Sequence, residues 1–163
     1  MGTGKSGVGK QLAARLNRRF IDTDELIEQI EKMSIAQIFA VKGEPYFRER
    51  EKQMIAEVCQ ENGVVIATGG GAIVNEENAI RMKASGTVIC LMATPEVILQ
   101  RIQKDETRPL LQGGDPQAKI RTLLSARADS YARADVTIDT SCLDVDEVVQ
   151  AVLKVSEETE ERI

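Results

Sequence analysis

An α/β fold, a parallel sheet covered by helices on both faces, is predicted by three features of the 163-residue sequence. Short runs of apolar residues without polar alternation take turns with segments of helical periodicity, the pattern of strands buried on both faces. Several of the runs end in glycines or acids, the residues that gather where carboxyl ends of parallel strands surround a ligand. The chain also opens on Gly2-Thr3-Gly4-Lys5-Ser6, the back half of the GxxxxGK[ST] pattern. That pattern sets backbone N–H groups, an ammonium and a hydroxyl around the phosphates of a nucleotide and its Mg²⁺. Its first glycine would stand two positions before Met1. A strand feeding the loop is therefore expected ahead of the given sequence.

The elements follow in order. Over 6–17, leucines and alanines recur on one face, and a helix that starts where a glycine loop ends points its positive end at whatever the loop holds. Residues 20–22 read as a short strand ending in acid. Asp24 is expected to cap a helix with Leu26, Ile27 and Ile30 on one side, and Ser34 with Gln37 forms a capping box for a second short helix that Gly43 ends. Pro45 suits the first turn of a longer helix reaching about residue 62, its charges mostly a solvated face, with Gly63 closing it. Residues 64–68 are an apolar strand running into Gly69-Gly70-Gly71, and Asn75 begins another helix. A strand over 87–93 leads through Thr94-Pro95 to a helix ending at Gln103. The polar stretch 104–116, with Gly113 and Gly114, has the composition of a mobile loop. A helix over 117–132, a strand over 136–140 and an amphipathic helix from Asp144 complete the chain.

Composition removes several classes of function. A net charge of -5 and 3% aromatic residues provide neither the electrostatic footprint nor the stacking surfaces of a nucleic-acid binder. The sequence has no apolar run of membrane-spanning length and no signal-peptide pattern, so a cytoplasmic protein is expected. Cys59, Cys90 and Cys142 are odd in number and far apart in apolar stretches, and read as small buried side chains. With no histidine in the chain, chemistry must run on carboxylates, lysine, arginine and hydroxyls.

Four sets of residues carry that chemistry. The first is the loop, with Lys5 and Ser6. The second is Asp22-Thr23-Asp24 after the first strand, whose carboxylates could hold Mg²⁺ through waters or accept a proton from a hydroxyl. The third is the glycine triplet, which permits close approaches that side chains forbid. The fourth comprises Arg48, Arg108 and Arg127, whose forks match carboxylate and phosphate.

Taken in order, the segments MGTGKS, FIDTDELIE, SIAQIFAVKGEPYFREREK, VIATGGGA, RPLL and RADSYARAD resemble shikimate kinases across essentially the whole chain. Their joint spacing separates that family from gluconate and adenylate kinases, which are similar in phosphate loop and general fold. The resemblance implies a P-loop NTPase fold of three α/β/α layers, like nucleoside monophosphate kinases with a lid. It implies a five-stranded parallel sheet in the order 2-3-1-4-5, of which this sequence lacks the first strand. One domain is expected over 1–163, with a substrate-binding region at 24–62 and a lid at 104–118.

The activity so implied is transfer of phosphate from ATP to the 3-hydroxyl of shikimate, giving shikimate 3-phosphate and ADP. In this reading Gly2, Thr3, Gly4, Lys5, Ser6 and Gly7 hold the nucleotide phosphates and Arg101 stacks near adenine. Ser6 binds Mg²⁺, and Asp22 reaches it through water. Asp24 receives the proton of the accepting hydroxyl, and Arg108 approaches the transferring phosphate from the lid. Arg48 and Arg127 clamp the shikimate carboxylate, and Glu51 orients Arg48. Gly69, Gly70 and Gly71 border the substrate, with backbone contacts to its hydroxyls from the last two. Gly7 stands where the family more often has threonine and softens the first helical turn by up to about 1 kcal/mol. A monomer is expected, with ATP and shikimate as its ligands and neither nucleic acid nor membrane as a partner. A non-catalytic shikimate-binding module and a related small-molecule kinase, such as a gluconate kinase, are the competing readings.

Overall fold

The computed structural model describes residues 2–103 and 115–160, with backbone alone for 157–160. Gly2 and Gly4 have φ of 67° and 82°, a region that L side chains rarely adopt, and Gly4 is the N-cap from which α1 (Lys5–Arg15) starts. Val8, Gly9, Leu12 and Ala13 form the buried face of that helix. A Cβ on Gly9 would stand 2.5 Å from the Phe20 ring, so glycine lets α1 lie directly on β1 (Arg19–Asp22).

β1 pairs in parallel with β2 (Val64–Ala67), Asp22 opposite Ala67, and β3 (Ile89–Met92) pairs in parallel with β4 (Val136–Asp139). These pairs are the two ends of the expected order 2-3-1-4-5. The central place in that order belongs to the strand that the sequence lacks, and no strand stands between β2 and β3 among the described residues. Both strands consequently keep one unpaired edge, and all their residues except Ala67 are half-buried, where strands buried on both faces were expected.

Side chains alternate across the pleat, and the core divides accordingly. Val64 and Ile66 of β2 pack on a cluster of Ile21, Ile27, Ile38, Phe47, Met54 and Val58. These come from β1 and from α2 (Thr23–Glu31), α3 (Ile35–Lys42) and α4 (Glu44–Val58). Val65, Ile89, Leu91 and Ile138 pack instead on Val8 and Leu12 of α1 and on Val148, Val149 and Val152 of α8 (Val145–Glu160). A third cluster, Ala93, Ile98, Ile102 and Ile120, joins α6 (Pro95–Gln103) to α7 (Pro116–Tyr131). Between β2 and β3 the chain passes a 3-10 turn, Ala72–Val74, and α5 (Glu76–Ser85), capped by the Asn75 side chain.

Several expectations need correction. The N-cap of α2 is Asp22, not Asp24: Asp22 has extended φ and ψ of -111° and 115°, and its carboxylate accepts from the N–H groups of Asp24 and Glu25. Ile30 is 51% exposed rather than part of the buried stripe. α4 stops at Val58, four residues short of the expected end, and Gly63 (φ 65°) belongs to the turn before β2. All three cysteines are free, but Cys59 and Cys90 are half-buried and Cys142 is exposed in the turn after β4. The capping box of Ser34 and Gln37 is present as expected. The polar stretch 104–114, including Arg108 and most of the expected lid, lies outside the described residues.

Candidate active site

The carboxyl ends of the strands, the phosphate loop and the first turns of α2 and α4 converge on one cleft of about 860 Å³. Gly2 through Gly7, Asp22, Asp24, Arg48, Glu51, Gly69, Gly70, Gly71, Arg101 and Arg127 all line it. Every site residue expected from sequence that falls among the described residues therefore opens onto the same space.

At the end formed by the glycine loop, Ser6 Oγ donates to Asp22 Oδ2 at 2.6 Å. The other Asp22 oxygen accepts from the N–H of Asp24 at 3.0 Å and of Glu25 at 3.3 Å. The acid thus fastens the start of α2 to the start of α1. Ser6 and Asp22 offer hard oxygen donors, the kind Mg²⁺ takes. Among the described residues no group of three or more His, Cys, Asp and Glu could hold a metal alone, so the two oxygens fit an ion that completes its shell with phosphates and water.

At the opposite end, α4 presents Arg48 and Glu51 three residues apart on one face. Arg48 Nη1 donates to Glu51 Oε2 at 2.8 Å, while its Nε and Nη2 donate to Glu44 Oε1 at 3.1 and 3.0 Å. Burial opposes the Arg48 charge, but Glu51 and Glu44 outweigh it and raise its pKa. Glu51 is 2% exposed. Burial pushes its carboxyl above the ordinary glutamate range, the Asp24 charge adds to this, and Arg48 and Arg127 offset it only in part.

The glycine triplet fits among these charges. A Cβ on Gly69 would stand 2.8 Å from Asp24 Oδ1 and 3.0 Å from Glu51 Oε1, and one on Gly71 would stand 2.5 Å from Arg48 Nη1. The carboxylates and the guanidinium fill the space that side chains on this turn would need. The arrangement presents cations and a carboxylate at the end of a cleft whose other end is a phosphate-binding loop. Such a set suits phosphoryl transfer, in which positioning and charge stabilisation do most of the work.

A family model of shikimate kinase matches residues 1–157. The chain belongs to the shikimate kinase family. Among its relatives are the shikimate kinases of Caldanaerobacter subterraneus, 46% identical over 154 residues, and of Thermoanaerobacter pseudethanolicus, 44% identical over the same length. Each alignment covers 94% of this chain and 90% of the relative. The solved shikimate kinase of Acinetobacter baumannii, in complex with shikimate, superposes with a TM-score of 0.92 at 38% identity, covering 98% of this chain and 89% of that one. A gluconokinase of Sinorhizobium meliloti superposes with a TM-score of 0.57 at 13% identity, over 99% of this chain and 92% of that one, and shares the fold.

Within this shikimate kinase framework, some site residues escaped the sequence. Glu44 holds Arg48 from the solvent side, and its only sequence signal is the i, i+4 spacing. Ile35, Phe39 and Phe47 form an apolar wall of the cleft and carry the same pattern as any core residue. Arg101 donates through Nη1 to Thr140 Oγ1 at 3.0 Å and through Nη2 to Thr140 O at 2.8 Å, and it lines the cleft together with Leu143, Asp144 and Val145. No sequence pattern links Arg101 to Thr140.

Proposed function

We propose that this cleft transfers the γ-phosphoryl group of ATP to the 3-hydroxyl of shikimate, giving shikimate 3-phosphate and ADP on the chorismate route to aromatic amino acids. The observation that carries the reading is the packing of Asp24, Glu51 and Arg48 onto the glycine turn, in the same cleft as the phosphate loop.

Shikimate lies with its carboxylate between Arg48 and Arg127, whose forks match it. Glu51 and Glu44 hold Arg48 in that orientation. Gly69, Gly70 and Gly71 admit the ring to the backbone, with contacts to its hydroxyls from the last two. Asp24 accepts the proton of the 3-hydroxyl as its oxygen bonds to the γ-phosphorus, and the bond from that phosphorus to the bridging oxygen breaks to leave ADP. Lys5 and Arg108 stabilise the charge that spreads over the equatorial oxygens. Gly2, Thr3, Gly4, Ser6 and Gly7 cradle the phosphates, and Arg101 lies near adenine. Ser6 and, through water, Asp22 would hold Mg²⁺, which neutralises charge on the β- and γ-oxygens.

The same reading takes 1–163 as one domain, 24–62 as its substrate-binding region and 104–118 as a lid that closes over the correct pair of substrates. It places a monomer in the cytoplasm. No helix among the described residues is long and apolar enough to cross a membrane.

ADP release in a coupled assay is expected with shikimate and not with gluconate. Asp24→Asn should lower kcat by about two to four orders of magnitude, as loss of a general base does. Unchanged turnover in that variant, or preference for gluconate, would overturn the assignment. Titration calorimetry with MgATP separates the enzyme from a non-catalytic shikimate-binding module, which would bind shikimate alone.

A further inference from the structure

Tyr131, the last residue of α7, reaches the glycine turn from behind. With Thr68, Gly69, Gly70 and Ile73 it lines a small, mostly apolar cavity, and it is not part of the wall of the main cleft. Its hydroxyl donates to the carbonyl oxygen of Gly70 at 3.1 Å and accepts from Arg127 Nη1 at 3.5 Å. A phenol has one proton to give and lone pairs to receive with. Spending the proton on Gly70 leaves the lone pairs for Arg127, so the two contacts are compatible and form one chain. That chain joins a residue assigned to the substrate carboxylate to the turn assigned to its hydroxyls.

The Gly70–Gly71 peptide is trans, like every peptide bond described. In a planar trans unit the carbonyl oxygen and the following N–H point to opposite sides. Tying Gly70 O to Tyr131 therefore turns the Gly71 N–H away from α7, and Gly71 is the residue whose Cβ would meet Arg48 across the cleft. The Gly71 N–H has no acceptor among the described residues. We propose that Tyr131 is a positioning residue for shikimate: its hydroxyl sets the Gly70–Gly71 peptide so that the Gly71 N–H donates to a substrate hydroxyl, and it steadies Arg127 at the carboxylate. This rests on the reading of the site given above.

Tyr131→Phe deletes the hydroxyl and leaves the ring. In the full chain it is expected to raise KM for shikimate about fivefold, the ratio produced by losing one hydrogen bond of ordinary net strength. KM for MgATP and the thermal midpoint should stay unchanged. Arg127→Lys, measured beside it, tests the underlying reading. A shikimate KM unmoved by Arg127→Lys removes Arg127 from the site and the inference with it. A KM raised by Arg127→Lys but unmoved by Tyr131→Phe overturns the role of Tyr131 alone. If Tyr131→Phe raises both KM values equally, or lowers the midpoint with both KM values unmoved, the hydroxyl serves packing and the inference falls. In the unmodified protein, shikimate should slow hydrogen exchange of the Gly71 amide; exchange left unslowed overturns the proposed aim of that peptide.

Discussion

Gly71 and Arg48 occupy adjoining space so closely that a single methyl group on the glycine would lie 2.5 Å from Arg48 Nη1. The obstacle is the end of a flexible side chain, so Gly71→Ala should fold normally and displace the guanidinium. Its cost is expected in shikimate recognition, as a rise in KM of about ten- to a hundredfold, the penalty of misplacing a positioning group by about an ångström. Steady-state kinetics with shikimate as the varied substrate would check this. An unchanged KM would show that Arg48 has another productive position.

Gly69→Ala strikes a different atom. Its methyl group would lie 2.8 Å from Asp24 Oδ1 and 3.0 Å from Glu51 Oε1. The expected loss is in kcat, since the displaced group is the proposed proton acceptor. The two alanine variants should therefore separate binding from chemistry when compared side by side.

Asp22 caps α2 and is the proposed water-mediated partner of Mg²⁺, two duties that two substitutions can separate. Asn at an N-cap is as good as Asp, so Asp22→Asn should keep α2 intact while weakening the hold on Mg²⁺. The Mg²⁺ concentration for half-maximal activity should rise about ten- to a hundredfold, in line with losses at groups that support a metal. Asp22→Ala should show the same defect and also lose about 0.5–2 kcal/mol of stability with the cap. Mg²⁺ titrations and denaturant melts of both variants supply the comparison.

Glu51 makes stability depend on pH. Burial raises its folded pKa above the reference value of 4.5. A raised carboxyl binds its proton more tightly in the folded state, so its contribution is fully present below the unfolded pKa and is lost as pH rises through the folded one. Glu51→Gln, neutral throughout, should flatten that decline. Thermal midpoints of wild type and variant across this range would show their difference changing with pH above 4.5. A constant difference would contradict the raised value.

Glu31 has the opposite sign. Its carboxylate accepts from Lys42 Nζ at 2.7 Å, from Tyr46 Oη at 3.0 Å and from Arg50 Nε at 2.7 Å, tying α2 to α3 and α4. The hydrogen bond from Lys42, outweighing burial and aided by Tyr46 and Arg50, lowers its pKa from 4.5. Its stabilisation is present above that unfolded value and is lost as pH falls through the lower folded one. Glu31→Gln should lower the thermal midpoint near neutrality, with the gap to wild type closing in acid. Calorimetric scans across that range would measure it.

Residue pattern and structure part company where geometry chooses between equivalent residues. Asp22 and Asp24 are both competent caps, and only the extended backbone of Asp22 decides between them. Nothing in the polar run after Val58 signals a helix end, where the N–H groups of Gln60 and Glu61 turn to the carbonyls three residues back, of Glu57 and Val58. The four strands were legible because apolar runs bounded by turns have few other uses. Their exposure was not, since burial of a strand depends on what lies beside it. The candidate site was legible through glycines and charges at strand ends; Glu44 left only an i, i+4 spacing, whereas the Arg101–Thr140 and Tyr131–Gly70 contacts act across the fold and leave none.

The Asp22 carboxylate divides its oxygens between Ser6 and the amide of Asp24. The nucleotide loop is thus two hydrogen bonds from the residue assigned to the acceptor. A ligand that shifts Ser6 alters the tether of α2, and a ligand that shifts α2 alters the loop. Such a linkage is reciprocal by thermodynamic necessity: whatever factor one substrate applies to the affinity of the other is returned unchanged.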